Sequence, residues 1–188
     1  MKIIKTLIIS GYRSYELGIF KEDDPKVAVI KSALQSQLQT LVEEGLEWVL
    51  VAGQLGVEMW GAEVVLAMKE DYPELHLGVI LPFADFGNQW KENNQEKLTK
   101  IKQQADYVNS TSNQSYQSPQ QLRNHSRFLL EHSGGVLLVY DEESPGKTSF
   151  FLKEAKQFQE NYPYEIFQIT FDDLQNVVAS QEEFYEDN

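Results

Sequence analysis

Residues 48–63 read WVLVAGQLGVEMWGAE, and this stretch decides the fold. The run Trp48 to Val51 is short and continuously apolar, as in a strand that a parallel sheet buries on both faces. Three glycines then mark the passage from this strand into a helix. We expect Gly53 and Gly56 to shape a turn that faces a ligand, whereas Gly61 lets the helix pack closely on the sheet.

The same alternation of strand and helix continues on both sides of this stretch. Apolar runs predict further strands at 6–10, 75–81, 106–109, 134–140 and 164–170. Helical spacing and capping residues predict helices near 25–45, 57–71, 88–104, 118–132, 148–161 and 172–179. This pattern predicts an α/β fold with a single doubly wound domain, residues 1–180, whose mainly parallel sheet is flanked by helices. The place of 106–109 in the strand order stays open, and we expect the acidic residues 181–188 to form a frayed or loosely docked tail.

Composition excludes several classes of site. The 188 residues include no cysteine, which rules out disulfides, thiol catalysis and thiolate metal sites. The three histidines are scattered without metal-ligand spacing, so we expect no metal. The net charge of −13 disfavours nucleic-acid binding. No apolar run reaches the length of a membrane span, and segment 1–10 is too short for a signal peptide, so we expect a cytoplasmic protein.

Four segments that directly follow strands are candidates for a ligand site. Ligands of doubly wound sheets bind beyond the carboxyl ends of the strands. We therefore expect these segments to lie along one edge: Gly11-Tyr12-Arg13, Gly53 to Glu58, Pro82-Phe83 and Asp141 to Thr148. Arg13 can form paired hydrogen bonds with a phosphate or carboxylate; a surface arginine after a tight turn is the alternative.

Gly53 and Gly56 supply half of a dinucleotide fingerprint. Their G-x-x-G spacing lacks the first glycine of G-x-G-x-x-G and does not predict NAD binding in the usual dinucleotide manner. The N–H groups at the start of the following helix can still hold an anion. Glu58, in the first turn of that helix, has two interpretations. It complements the helix dipole, or it is a catalytic candidate that bonds a ribose hydroxyl or performs acid–base chemistry.

Gly146-Lys147-Thr148 looks like the end of a P-loop. That motif needs a glycine five residues before its Gly-Lys pair, and Asp141 stands there. The acidic residues 142 and 143 also do not suit a triphosphate. Two interpretations remain: the helix N-terminus holds one phosphate, or Pro145-Gly146 simply closes a loop.

The helix predicted over 118–132 carries Arg123, Asn124, His125 and Arg127. The two arginines are four residues apart and share a face. Arg123 and Asn124 can project towards the ligand edge, but spacing alone favours a solvated helix face. We expect His125 to be exposed.

Several motifs together resemble the YpsA family of Gram-positive bacteria. They run in the same order over nearly the whole chain: Ser10-Gly11-Tyr12-Arg13, Glu16 to Phe20, Gly45 to Trp48, Gly53 to Glu58, Pro82-Phe83, Gln104 to Tyr107, Tyr116 to Pro119 and Gly135 to Asp141. That family belongs to the SLOG superfamily of Rossmann-like domains, related to the cytokinin-activating LOG proteins and to DprA. The resemblance implies a nucleotide-derived ligand and a link to cell division or envelope stress.

The resemblance also implies which residues form the site. It points to Gly11, Arg13, Gly53, Gln54, Gly56 and Glu58, and to the pair Arg123-Asn124. One departure matters. LOG enzymes carry Pro-Gly-Gly-x-Gly-Thr-x-x-Glu, whereas this chain has Pro145-Gly146-Lys147-Thr148 and places Phe151 at the glutamate position.

Three functional hypotheses follow. The preferred one is a cytoplasmic sensor or regulator that binds a nucleotide, ADP-ribose or an NAD-like ligand. The second is a nucleotide N-glycosidase, a LOG-like phosphoribohydrolase, with Glu58 as its acid–base or cation-stabilising carboxylate. The third is a ligand-independent adaptor that binds a cell-division protein. Related folds also suggest a homodimer.

Overall fold

A computed structural model describes residues 3–187 as strands and helices in regular alternation. The strands are β1 (Thr6–Gly11), β2 (Trp48–Val51), β3 (His76–Leu81), β4 (Tyr107–Ser110), β5 (Gly135–Val139) and β6 (Glu165–Ile169). They form one sheet in the order β4-β3-β2-β1-β5-β6, and all five pairings are parallel. The α/β prediction is confirmed, and the segment near 106–109 becomes the edge strand beside β3.

Six helices connect or follow these strands within the described residues. They are α1 (Pro25–Glu43), α2 (Val57–Met68), α3 (Glu92–Gln104), α4 (Pro119–Glu131), α5 (Thr148–Gln159) and α6 (Phe171–Glu186). Right-handed crossovers place α1, α2 and α3 on one face, because each of these connections moves the chain towards β4. The connections through α4 and α5 move the other way, so these two helices cover the opposite face. The arrangement is Rossmann-like, with its switch point between β1 and β5.

The centre of the sheet is fully apolar, as the continuous hydrophobic runs predict. Leu7, Val49, Leu77 and Val136 have no exposed surface. The prediction for Gly61 is confirmed: a Cβ there would lie 2.9 Å from Cγ2 of Ile9, so the glycine lets α2 approach β1. This close contact fixes the start of α2 relative to the end of β1.

The C-terminal helix differs from the prediction. We expected a short helix near 172–179, but α6 continues to Glu186, and residues 181–187 of the acidic tail are all exposed. Thr170 and Asp173 form a capping box at its start, and Leu174 and Val177 pack on the core. These apolar residues hold the first half of α6 against the core, and α6 also packs on α1. Asn188 lies outside the described residues.

No helix in the described part of the chain is both long enough and apolar enough to cross a membrane.

Candidate functional site

A cavity of about 590 Å³ opens at the carboxyl end of β1, between α4 and α5. Its position is the switch point of the sheet, where ligands of this architecture bind. The wall combines segments that are distant in sequence: Ile8 to Gly11, Arg13, Ala52, Gln54, Glu58, Pro82, Phe86, six residues of α4 and the start of α5. Each of the four segments predicted to follow strands along one edge therefore contributes to this wall.

Three cationic side chains line this cavity. Arg13 comes from the loop after β1, Arg123 from α4 and Lys147 from the residue before α5. Nε and Nη2 of Arg123 donate to Oε1 of Gln120 at 3.1 and 2.9 Å. Lys147 lies with Nζ 5.6 Å from the ring centroid of the exposed Tyr15. In a chain with a net charge of −13, three cationic side chains are thus brought together on one wall, which they share with Glu58 and Glu154.

Glu58 is the most deeply buried carboxyl group on the wall, and only 7 % of its surface is exposed. It stands in the first turn of α2, where Oε1 accepts a hydrogen bond of 2.7 Å from the backbone N–H of Ala52. Burial raises the pKa of Glu58 to about 7, against the opposing effects of the Ala52 N–H and the Arg13 charge. A carboxyl group with this pKa exchanges a proton near neutral pH, as a general acid or base requires.

Burial of Glu58 predicts a pH dependence of stability. The pKa of Glu58 in the folded protein, about 7, exceeds the ordinary 4.5. The stability that the protonated group contributes is therefore fully present below pH 4.5 and is lost as the pH rises through 7. Over this pH range, the free energy of unfolding of the wild type should fall by about 3 kcal/mol relative to that of Glu58→Gln, since each pKa unit corresponds to about 1.4 kcal/mol. Urea unfolding at a series of pH values measures the difference. Glu70→Gln, at an exposed position just after α2, is the control and should leave the pH profile unchanged. Parallel profiles for the wild type and Glu58→Gln would contradict the assignment.

The N-terminus of α5 already holds a carboxylate. Oε2 of Glu16 accepts a hydrogen bond of 3.0 Å from the backbone N–H of Lys147, and Oε1 accepts one of 2.9 Å from that of Arg13. Glu16 belongs to a 3-10 turn, Ser14–Leu17, that the sequence did not predict. The carboxylate thus occupies a position that an anion at this helix start would take. Lys147 and Thr148 also line the cavity.

Five of the predicted ligand-binding residues lie outside the cavity wall. Tyr12 is buried, and its hydroxyl accepts from the N–H of Asp141 and contacts the carbonyl oxygen of Ser144 at 2.7 Å. Gly146 donates its N–H to the Tyr140 hydroxyl at 3.3 Å. Asn124 is exposed and accepts from Gln120. These contacts fix the loops around the cavity.

The two glycines of the G-x-x-G turn also serve the fold. Gly53 has a φ of 89°, and a Cβ there would meet Leu81 and Leu98, both at 3.1 Å, so it faces the apolar core. Gly56 has a φ of 106° and packs against the backbone of residues 12–14. The glycines therefore position Gln54 and Glu58, which do line the cavity, without lining it themselves.

Sequence reasoning missed part of the wall on α4 and α5. Glu154 and Phe151 both line the cavity and are three residues apart, so they share a face with Thr148. Burial raises the pKa of Glu154, while a hydrogen bond from Ser126 and the charge of Arg123 oppose this effect. Phe151 and Glu154 follow Thr148 in steps of three residues, and this helical spacing could have identified both of them from the sequence.

The prediction of an exposed His125 is wrong. Its ring is 7 % exposed, and Nε2 lies 2.7 Å from the carbonyl oxygen of Ile80. Leu129, four residues after it on the same face of α4, is also buried, whereas Leu122, three residues before it, lines the cavity but is exposed. The exposed face of the helix carries Arg127 instead, which pairs with Glu131.

A second groove of about 560 Å³ runs between α1 and α6. Its lining includes Ser36, Asn176 and Tyr185 but no charged residue. Within residues 3–187, no group of three or more His, Asp or Glu side chains is arranged to hold a metal ion. The charged groups that can recognise a ligand are therefore concentrated at the switch point.

Comparison with known proteins gives the chain's relatives. A model of the YpsA family, described as "YspA SLOG family", matches residues 7–174. A UPF0398 protein of Enterococcus faecalis is 58% identical over 178 residues, covering 95% of this chain and 99% of the relative. A UPF0398 protein of Brevibacillus brevis is 46% identical over 187 residues, covering 99% and 100%. A third, of Leuconostoc citreum, is 46% identical over 182 residues, covering 97% and 96%.

Proposed function

Because the chain belongs to the YpsA SLOG family, we propose that it is a cytoplasmic sensor or regulator that binds a nucleotide-derived small molecule between α4 and α5. The observation that carries this proposal is the concentration of Arg13, Arg123 and Lys147 on one cavity at the switch point. The family resemblance suggests cell division or the stress response as the process it regulates. A cell-division partner and a homodimer remain predictions.

The cavity offers complementary surfaces to such a ligand. The cations can bind phosphate, and arginine does so through paired hydrogen bonds. Phe86, Leu122 and Leu129 provide apolar surface on which a base can lie. Glu58 and Gln54 can bond ribose hydroxyls at the end of β2. AMP, ADP-ribose and NAD all combine these three chemical parts.

A thermal-shift screen against AMP, ADP-ribose and NAD tests the proposal. Ligand at 100 times its Kd stabilises the folded state by about 2.7 kcal/mol, so binding should raise Tm. Ser126→Trp places an indole in the cavity, since Ser126 lines it, and should abolish the shift. Ser36→Trp makes the same change in the α1–α6 groove and should preserve the shift.

Two outcomes would overturn the proposal. The first is a folded wild type that none of the three compounds stabilises, which would favour the ligand-independent adaptor. The second is the reverse pattern of variants, with the shift lost in Ser36→Trp and kept in Ser126→Trp, which would place the site between α1 and α6.

A second candidate function is hydrolysis of the N-glycosidic bond of a nucleotide. The raised pKa of Glu58, about 7, is the observation that favours it, because the group can donate or accept a proton at neutral pH. Phe151 lines the cavity where the resemblance to LOG enzymes would place a second glutamate. In a hydrolase, Glu58→Gln should abolish release of adenine from AMP yet preserve AMP binding. Absence of free adenine with the wild-type protein would rule out AMP hydrolysis.

A further inference from the structure

His125 is a buried histidine on the wall of the cavity. Its ring forms part of the α4 wall, and Nε2 lies 2.7 Å from the carbonyl oxygen of Ile80. A carbonyl oxygen can only accept a hydrogen bond, so Nε2 carries a proton. In the neutral ring, Nδ1 then carries a lone pair and can only accept. Burial lowers the pKa of His125, which keeps the ring in this neutral form.

Nδ1 of His125 has no hydrogen-bond partner among residues 3–187. Among residues 3–187, Nδ1 of His76 is the one buried side-chain N or O atom that lacks a hydrogen-bond partner. Because Nδ1 of His125 also lacks a partner, it must keep some surface open to solvent. His125 lines the switch-point cavity, which is accessible space next to this residue. Nδ1 is therefore a hydrogen-bond acceptor of fixed orientation, open to water or to a donor on a bound molecule.

The surroundings of Nδ1 indicate the kind of donor. Leu122 and Leu129 flank His125 on the same face of α4, and Phe86 completes an apolar wall. A charged donor would lose its hydration against these side chains without gaining a countercharge from a neutral ring. A flat heterocycle with an N–H group suits this environment, because the ring can pack on the apolar side chains while the N–H at its edge donates to Nδ1.

We propose that Nδ1 of His125 accepts a hydrogen bond from an N–H group on the base of the bound nucleotide and so selects bases with a donor at that edge. This inference rests on the proposed nucleotide site and adds the specificity of its base-binding end. His125 acts here as a specificity-determining residue, while the phosphate is bound by the cations.

The test compares AMP with purine riboside 5′-monophosphate, which lacks the 6-amino donor. Titration calorimetry should show AMP binding about tenfold tighter to the wild type, as one lost hydrogen bond to a buried acceptor implies. His125→Gln retains an N–H group that can reach Ile80 and removes the acceptor at Nδ1. It should weaken AMP about tenfold and leave the analogue unchanged. His132→Gln, at the exposed end of α4, should bind both compounds as the wild type does.

The outcomes separate this inference from the function on which it rests. If AMP binds but His125→Gln weakens both compounds equally, base selection by His125 is overturned and nucleotide binding stands. If neither compound binds the folded wild type, base selection by His125 is overturned, whereas the nucleotide site falls only if ADP-ribose and NAD also fail to bind. A ligand-free check uses ¹⁵N NMR of the wild type, which should show the tautomer with the proton on Nε2. An Nδ1–H tautomer would overturn the inference even if His125→Gln fails to fold.

Discussion

Replacement of Gly56 by alanine is expected to lower the free energy of unfolding by about 2–6 kcal/mol, combining backbone strain with overpacking. Gly56 has a φ of 106° and a ψ of −134°, a backbone conformation that residues with a side chain rarely adopt. A Cβ there would lie 2.5 Å from the backbone N of Ser14 and 2.6 Å from the carbonyl oxygen of Tyr12. These are backbone atoms of the loop after β1, so no rotamer change relieves the clash.

Gly18→Ala is the matched control for this prediction. Gly18 has a φ of 65° but no heavy atom within 4 Å of an added Cβ, so alanine there has backbone strain without a clash. It should cost about 1–2 kcal/mol. Urea unfolding gives both free energies. Equal destabilisation by the two variants would show that the approach of Gly56 to residues 12–14 is not a constraint on the fold.

The double variant Arg13→Ala/Arg123→Ala is expected to bind the best nucleotide of the thermal-shift screen about 100-fold more weakly, or weaker still. Each charge-assisted hydrogen bond contributes about 1.5–3 kcal/mol, and every 1.4 kcal/mol is a factor of ten in Kd. The two arginines approach the cavity from different elements, the loop after β1 and α4. Each can therefore contact the phosphate from its own side. Because the two arginines share this partner, the prediction is made for the double variant and not as a sum of two single losses.

Arg127→Ala controls for the loss of positive charge. Arg127 is on the same helix as Arg123, but it pairs with Glu131 at 3.2 Å and does not line the cavity. Its removal should leave Kd unchanged within about twofold, because exposed pairs contribute little. Equal weakening by Arg127→Ala and Arg123→Ala would mean that the charge acts at long range and not through a bound phosphate.

Periodicity and breaker residues were enough to predict the fold, because each strand is short, apolar and bounded by turn residues. The rule that ligands bind at strand ends also located the cavity, and the segments that carry Arg13, Glu58 and Lys147 meet there. Strand order was less accessible, because the edge strand β4 is mostly exposed and carries a weak apolar signal.

The roles of individual residues were harder to predict, because they depend on tertiary contacts. Gly53 looked like a ligand-facing glycine, yet the side chains of Leu81 and Leu98 occupy the space beside it. His125 was expected to be exposed, because the sequence of α4 does not reveal that its ring contacts Ile80, which is 45 residues away. Glu16 lies in a segment that resembles the family, but its role at the N-terminus of α5 could not be predicted, because the contact joins residues that are 131 apart in sequence.

The most direct test of the nucleotide site is a crystal structure of the protein with the best ligand from the thermal-shift screen. We expect the nucleotide between α4 and α5, with its phosphate within hydrogen-bonding distance of Arg13 or Arg123 and its base against the wall that carries His125. Density for the nucleotide in the α1–α6 groove, with the switch-point cavity free of it, would contradict this account.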